Sequence, residues 1–180
     1  MVRVVLVLAS AFVLVIAMPA PAKLPKFTTT TIVEGKSFAG VKLGARMADA
    51  VKAWGKPNPG HSSVTEWDAS KSDPGSRVGI SFTGGRISAF YVSLSRKATA
   101  KVRTQLLRMH TTKGIGLGAT YDAVKQAYPD AVGWVMHAAE EGLQNLEVAA
   151  GGAFTRFSFG PGRSGTVEII SMTKLSVVPK

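Results

Sequence analysis

The sequence is 180 residues long and 46% hydrophobic, and it contains no cysteine. This length suits one domain or two small ones, and the lack of cysteine excludes disulfide scaffolds, cysteine-bound metals and thiol nucleophiles. The chain has 22 Lys and Arg against 11 Asp and Glu, and its charge of +11 arises within a sparse charged set, 18% of the residues, rather than from a basic tail.

The first 22 residues have the composition of an export signal. Arg3 precedes an uncharged run at 4–18, and Ala20 and Ala22 place small residues at the −3 and −1 positions of a cleavage site. A membrane anchor is the alternative, but a span needs about 20 apolar residues and this run is shorter. The sequence therefore predicts cleavage after Ala22 and a secreted or extracytoplasmic protein without a transmembrane segment. The mature chain would hold 21 Lys and Arg against 11 Asp and Glu, a charge of +10.

Residues 23–36 mix proline, lysine and a run of four threonines. Such a composition predicts a flexible leader. Thr30 to Val33 are β-favouring residues, and we expect them to join a sheet as an edge strand.

An internal repeat organises the rest of the chain. The block Gly-Val-Lys-Leu-Gly-Ala at 40–45 recurs as Gly-Ile-Gly-Leu-Gly-Ala at 114–119, an offset of 74 residues. With the same offset and no gap, Trp54 aligns with Tyr128. Each of these aromatic residues is followed by a proline-containing break that ends the periodic pattern.

A second block supports the same alignment. Ser-Phe-Thr-Gly-Gly-Arg at 81–86 matches Ser-Phe-Gly-Pro-Gly-Arg at 158–163, now with an offset of 77 residues. Two blocks in the same order predict two repeats that form one globular unit. The predicted organisation is a signal peptide at 1–22, a flexible leader at 23–36, repeat 1 at 37–97, a basic linker at 98–113 and repeat 2 at 114–180.

Each copy predicts one helix followed by strands. Apolar residues keep helical spacing after each glycine block: Met47, Ala50, Val51 and Trp54, then Tyr121, Val124, Ala127 and Tyr128. Alternating residues around Val78, Ile80 and Phe82, and around Phe157 and Phe159, predict half-buried strands. Gly84-Gly85 predicts a hairpin turn and Gly160-Pro161-Gly162 a second turn. Further strands are predicted at Val64–Trp67, Ile87–Leu94, Trp134–His137, Leu146–Ala149 and Val167–Met172, and a short basic helix at Lys101–Met109.

The predicted fold class is α+β: two tandem helix-then-antiparallel-strands repeats, with the helices packed on one face of an antiparallel sheet.

No catalytic motif has its required context. The block at 114–119 fits the dinucleotide-binding pattern, but no buried strand precedes it. His61, His110 and His137 lie in separate segments without metal-ligand spacing. We therefore predict no enzyme activity, no catalytic residue, no cofactor and no metal site. A hydrolase with a Ser/His/acid site assembled by the fold is kept as an alternative, because such a triad is defined by geometry.

A basic cluster spans eighteen residues without an acid: Arg96, Lys97, Lys101, Arg103, Arg108 and Lys113. Nucleic acid is one partner that such a cluster fits, but export and the absence of an aromatic-basic motif count against it. Outside the cell an anionic envelope polymer, acidic lipid headgroups or an acidic protein surface would fit as well. A solvated linker without a partner is the remaining alternative.

Three aromatic residues on predicted strands are candidate partner-binding anchors: Trp67, Tyr91 and Trp134. Aromatic side chains on an open sheet face bury a large area at low entropic cost, although packing in the core is the alternative for each. Arg77 and Arg156 have the opposite parity to the core residues of their strands, so we expect them to point outward as polar contacts.

The pattern Gly-x-x-Leu-Gly, followed by Ala-x-x-Ala-Trp-Gly-x-Pro, occupies 40–57. It resembles the opening motif of small exported envelope domains of the SmpA/OmlA type. With the second copy at 114–129, the chain from 37 to 172 resembles the tandem-repeat fold of beta-lactamase inhibitory protein. Both families are exported, non-enzymatic binding modules, so the resemblance implies this fold and a binding role. The cysteines of both families are absent here, and beta-lactamase is not carried over as the partner.

The sequence thus predicts a secreted, non-catalytic binding module that contacts an extracellular protein through the open face of its sheet. An inhibitor-like role is one form that this binding could take. The alternative is an envelope-associated protein held electrostatically by anionic cell-wall or lipid groups.

Overall fold

The computed structural model describes residues 23–58, 64–70, 73–136, 143–160 and 165–175. The predicted signal peptide, His61, His137 and the turn residues Pro161 and Gly162 lie outside the described residues. Within them the chain forms three helices: α1 (Met47–Trp54), α2 (Ala100–Leu107) and α3 (Tyr121–Ala127). The strands are β1 (Thr31–Val33), β2 (Ser37–Phe38), β3 (Val41–Lys42), β4 (Val64–Ser70), β5 (Asp73–Thr83), β6 (Arg86–Ser93), β7 (His110–Thr111), β8 (Val132–Met136), β9 (Leu143–Ala150), β10 (Ala153–Phe159) and β11 (Val167–Lys174).

The strands form two sheets. The large sheet has seven antiparallel strands in the order β4-β5-β6-β11-β10-β9-β8. The small sheet has the order β3-β2-β1-β7, in which β1 and β7 are parallel. The fold is therefore a mixed α+β fold with mainly antiparallel sheets, and the prediction is confirmed at this level.

The helices predicted after the two glycine blocks are present. α1 begins after Arg46, whose backbone N–H donates to Asp49 Oδ2 at 3.0 Å, and it ends at Gly55, where φ is +88°. α3 begins after Thr120, whose Oγ1 accepts a hydrogen bond from the Ala123 N–H at 3.2 Å. The short basic helix predicted in the linker is α2. Local caps and the apolar spacing thus define α1 and α3.

The alternating segments form strands, as predicted. Val78 and Ile80 on β5 are fully buried, and so is Phe157 on β10. Gly84 and Gly85, with φ of +58° and +72°, make the two-residue turn between β5 and β6. Two consecutive positive φ values are what this kind of hairpin turn requires, and glycine adopts them without steric cost.

Aromatic contacts join the inner face of the large sheet to the layer that holds α1 and the small sheet. Phe38 of β2 stacks on Phe90 of β6 with ring centroids 5.5 Å apart. Trp54, at the end of α1, contacts Phe90 at 5.8 Å and Trp67 of β4 at 5.3 Å. The inner face of the sheet is therefore one side of the hydrophobic core.

The segment predicted as a leader contributes to this core. Leu24 and Ile32 are buried, and Phe27 packs edge-on to Trp54 at 5.9 Å. The prediction of an edge strand at Thr30–Val33 is wrong, because β1 lies between β2 and β7. A β-favouring run with a fully buried isoleucine can pair on both sides. The polar threonines of this run had indicated an exposed edge instead.

The two glycine blocks have the same backbone conformation. Gly40 and Gly114 have φ of +85° and +79°, and Gly44 and Gly118 have φ of +83° and +85°. The Gly44 N–H donates to Ile87 O, and the Gly118 N–H donates to the carbonyl at the start of β11, each at 2.8 Å. Both blocks are thus attached in the same way to the first residues of a strand.

The equivalence at those strands differs from the sequence alignment. The alignment pairs Arg86 with Arg163, whereas an isolated bridge joins Arg46 to Arg86 in the first half and Thr120 to Thr166 in the second. If the chain is aligned by these two bridges, Arg86 aligns with Thr166, an offset of 80 rather than 77 residues. The physical reason is the longer connection between β10 and β11, which replaces a two-residue turn.

Candidate binding face

The register of the large sheet defines its outer face, because directly paired residues of antiparallel strands lie on the same side. One row of outer positions crosses the sheet through Glu66, Gly79, Tyr91, Ser171, Arg156, Glu147 and Val132. The neighbouring row consists of Asp68, Arg77, Ser93, Ile169, Ser158, Asn145 and Trp134. None of these side chains belongs to the hydrophobic core. The outer face thus carries charged, polar and aromatic groups.

One cluster on this face is centred on Glu66. Arg77 Nη1 lies 3.2 Å from Glu66 Oε1, and the Tyr91 hydroxyl donates a hydrogen bond to the same oxygen. The Tyr91 ring covers Gly79, where an added Cβ would lie 2.2 Å from the ring. Burial raises the pKa of the Tyr91 hydroxyl, and the hydrogen bond to Glu66 raises it further. Glycine at position 79 therefore permits the ring to lie flat against the sheet.

A second cluster is centred on Arg156. Its Nε lies 2.7 Å from Glu147 Oε1. Its guanidinium carbon is 4.7 Å from the centroid of the Trp134 ring and 5.3 Å from that of Phe154. Both distances fall within the range of cation–π attraction. A glutamate and two aromatic rings thus hold this arginine, and its side chain still exposes 30% of its surface.

The structure brings four of the five predicted site residues to the outer face. Arg77 and Tyr91 meet through Glu66, and Trp134 contacts Arg156. On the same row of the sheet, Tyr91 and Arg156 are separated by β11 only, which corresponds to about 10 Å.

The placement of Trp67 on the open face is wrong. Trp67 pairs with Val78 on the inner face, is 1% exposed and donates from Nε1 to Gly55 O at 3.3 Å. The physical reason is parity along β4: Glu66 and Asp68 point outward, so the residue between them points into the core. Those two charged neighbours were the signal in the sequence.

Sequence reasoning missed three residues of the face: Glu66, Glu147 and Phe154. The last of these lies two residues before Arg156 on β10 and therefore on the same side. Glu147 is opposite Arg156 because Gly151-Gly152 forms a two-residue turn, and this turn was recognisable from the glycine pair.

The first and last residues of the basic cluster found in the sequence contact other parts of the fold. Arg96 forms an ion pair with Glu168 of β11, with Nε and Oε1 3.0 Å apart. Lys113 Nζ donates to Ala127 O at 2.8 Å and lies 4.7 Å from the centroid of the Tyr128 ring. Within a basic run that contains no acid in the sequence, Arg96 therefore pairs with an acid of a distant strand, and Lys113 contacts an aromatic ring.

Metal and catalytic groups can be judged only for the part of the chain that the structure describes. It contains no group of three or more His, Asp or Glu placed to hold a metal ion. His110 lies exposed on β7 with its Nδ1 2.8 Å from Arg108 O. The hydrolase alternative stays a prediction, because the two other histidines lie outside the described residues. No helix among those described is long and apolar enough to cross a membrane.

No protein-family model matches the chain, and no curated protein does. Solved structures do match. A DUF4309 family protein from Bacillus subtilis is 13% identical and aligns over 78% of this chain and 88% of its own, with a TM-score of 0.52. That likeness shows a shared fold.

Two longer proteins also align. One is an extracellular protein containing an SCP domain from Bacillus anthracis, with 11% identity over 73% of this chain and a TM-score of 0.45. The other is a cysteine-rich secretory protein from Staphylococcus aureus, with 9% identity over 84% of this chain and a TM-score of 0.47. The chain spans 44% of the first and 51% of the second.

Proposed function

We propose that this protein is a secreted, non-catalytic binding module that holds a partner protein against the outer face of its seven-stranded sheet. The observation that carries the proposal is Arg156, held by Glu147 and two aromatic rings at a place where it does not contribute to the core. The export pattern at 1–22 supports secretion.

The composition of the face supports a protein partner. Arg, Trp and Tyr are the residue types most enriched at the energetic centres of protein interfaces. Arg156 and Arg77 are each fixed by a glutamate, so little conformational freedom remains to be lost on binding. Both signs of charge are present, which favours a mixed protein surface over a uniformly acidic one.

The proposal includes a tandem-repeat architecture. Its support is the order of the large sheet, in which β4-β5-β6 meets β11-β10-β9 as a mirrored series, together with the matching glycine blocks. In this arrangement the two clusters would be contributed by one repeat each, and a partner would contact both. The resemblance to SmpA/OmlA-type domains and to beta-lactamase inhibitory protein is part of the same hypothesis.

The test is capture of proteins from the extracellular fraction of the producing organism, quantified by mass spectrometry. The double variant Trp134→Ala/Arg156→Ala is compared with Lys52→Ala/Leu107→Ala, which removes an exposed basic and an exposed apolar side chain on two helices. We expect the first variant to lose a specific protein at least about tenfold, as interface hot spots do, and the control to retain it.

Circular dichroism would establish that both variants fold. Equal capture of every protein by the two folded variants would contradict the sheet-face proposal.

A further inference from the structure

A basic groove lies between the segment that precedes β1 and helix α2. It has a volume of about 460 Å³ and is lined by Lys26, Phe27, Thr28, Thr29, Thr30, Lys101, Thr104, Gln105 and Arg108. Three residues of α2 and its C-cap residue Arg108, which keeps a helical φ and ψ, have the spacing i, i+3, i+4 and i+7, which places them on one face of the helix. The face of a short helix and an extended segment thus form its two walls.

Both walls are fixed to each other at their ends. Gln105 Nε2 donates to Pro25 O at 2.8 Å. Just beyond α2, the His110 N–H donates to Thr30 O at 3.1 Å, where β7 pairs with β1. Leu106, in the last turn of α2, is fully buried in the core. The groove is therefore a built feature of the fold.

Its charge has one sign. Lys26, Lys101 and Arg108 are exposed, and none of them forms an ion pair with an acidic residue in the part of the chain that the structure describes. No aspartate or glutamate is among the lining residues. Three uncompensated cations around one groove repel one another, and a bound anion would relieve that repulsion.

The remaining polar groups determine which anion fits. Four threonines and Gln105 line the groove beside the cations, and hydroxyl and amide groups hydrogen-bond with neutral hydroxyls as well as with anionic oxygens. Phe27, the aromatic residue in the lining, packs against Trp54, so it is not free to stack on a nucleobase. A lipid surface would also favour exposed apolar side chains beside the cations, which this lining does not offer.

We propose that this groove binds a strand of an anionic glycan, with Lys26, Lys101 and Arg108 on its acidic groups and the threonines on its sugar hydroxyls. The inference is independent of the sheet-face proposal, because the groove lies on the layer of α2 and the small sheet. It assigns a site to the electrostatic partner that the basic cluster in the sequence indicates.

The test measures binding of polygalacturonate, a carboxylated glycan, by isothermal titration calorimetry to the mature chain at about 0.05 M salt. The groove variant is Lys101→Gln/Arg108→Gln. Its control is Lys42→Gln/Lys52→Gln, which removes the same charge from exposed residues of β3 and α1. We expect roughly tenfold weaker binding for the groove variant and less than twofold for the control.

A third variant, Thr104→Glu, adds an acid between Lys101 and Arg108 and keeps both of them, so it should weaken binding even if the double variant is poorly folded. Equal losses in the groove and control variants would overturn the site. Binding of polyglutamate, single-stranded DNA or anionic vesicles that is as tight as that of polygalacturonate, and as sensitive to the groove variant, would overturn the glycan assignment. Failure of this test leaves the capture by the Trp134 and Arg156 variants unchanged, so the two proposals can be distinguished.

Discussion

Trp54 and Tyr128 each lie at the end of a helix that follows a glycine block, one in the N-terminal half of the chain and one in the C-terminal half. Trp54 is 2% exposed, and its Nε1 donates to Ala39 O at 3.0 Å. Its ring is surrounded by other aromatic rings, with centroids at 5.3 to 6.1 Å: Phe27, Phe38, Trp67 and Phe90. The first helix is therefore held by an aromatic cluster.

Tyr128 is also buried and its ring lies 5.6 Å from that of Phe157, but its hydroxyl has polar surroundings. Its hydroxyl donates a hydrogen bond to Glu34 and is hydrogen-bonded with Thr111 Oγ1 at 2.7 Å. Lys113 Nζ lies over one face of the ring. Both residues are thus buried in the core, and they differ in what surrounds them: Trp54 contacts four aromatic rings, whereas the Tyr128 hydroxyl bonds to Glu34 and Thr111.

Trp54→Ala should have the largest effect. The change removes a buried ring from a cluster of four others and leaves a cavity, so we expect the free energy of unfolding to fall by about 3–5 kcal/mol. Urea denaturation followed by circular dichroism measures it. Lys52→Ala, an exposed site on the same helix, should change stability by less than about 0.5 kcal/mol. A loss below about 1 kcal/mol for Trp54→Ala would show that the aromatic cluster is not what holds α1.

Tyr128→Phe should have a smaller effect of a different kind. The ring stays, while the bonds to Glu34 and Thr111 are lost, so we expect a loss of about 1–3 kcal/mol in the same denaturation experiment. Tyr121→Phe deletes the same atom from a tyrosine whose ring packs on Phe159, and should be nearly neutral. Equal losses in the two variants would mean that the polar network adds nothing to the second half.

Gly44→Ala and Gly118→Ala test whether the two glycine blocks depend equally on a positive φ for their stability. Both glycines have φ near +84°, where alanine is strained, so each change should cost about 1–2 kcal/mol. Gly133→Ala is the control, because its φ lies outside the positive region and an added Cβ would meet its neighbours at 3.5 Å or more. Thermal unfolding compares all three. A cost at only one of the two blocks would break the equivalence between the halves.

Local patterns predicted much of this fold. The spacing of apolar residues located α1 and α3, and alternation with a glycine pair located β5, β6 and their turn. The Glu147–Arg156 pair was also within reach, because the two-residue turn at Gly151-Gly152 fixes the register of β9 and β10. Interactions near a tight turn are determined by residues close in the sequence, so a sequence can reveal them.

Other features depend on contacts between distant segments. The bulge at Ser81/Phe82 shifts the register of β5 and β6, so the residue of β6 that lies opposite Arg77 could not be counted from the turn. The central position of β1 depends on pairing with β7, about 80 residues later in the chain. The inward orientation of Trp67, in contrast, was predictable from the sequence, since the charged residues on either side of it already indicate that it points inward.

The smallest expected effect concerns alkaline pH. Burial, and then the hydrogen bond to Glu34, raises the pKa of the Tyr128 hydroxyl above the value of about 10 that applies to the unfolded chain. Above pH 10 the unfolded state therefore releases a proton that the folded state keeps, and stability that is present below pH 10 is progressively lost.

Tyr128→Phe lacks this group, so the difference in free energy of unfolding between it and the unmodified protein should narrow between about pH 9 and 11. The Trp54→Ala difference should stay constant over the same range, because no titrating group is removed. Urea denaturation at each pH measures both differences, and a Tyr128→Phe difference that does not narrow would show that the two halves are not distinguished by a polar network around this tyrosine.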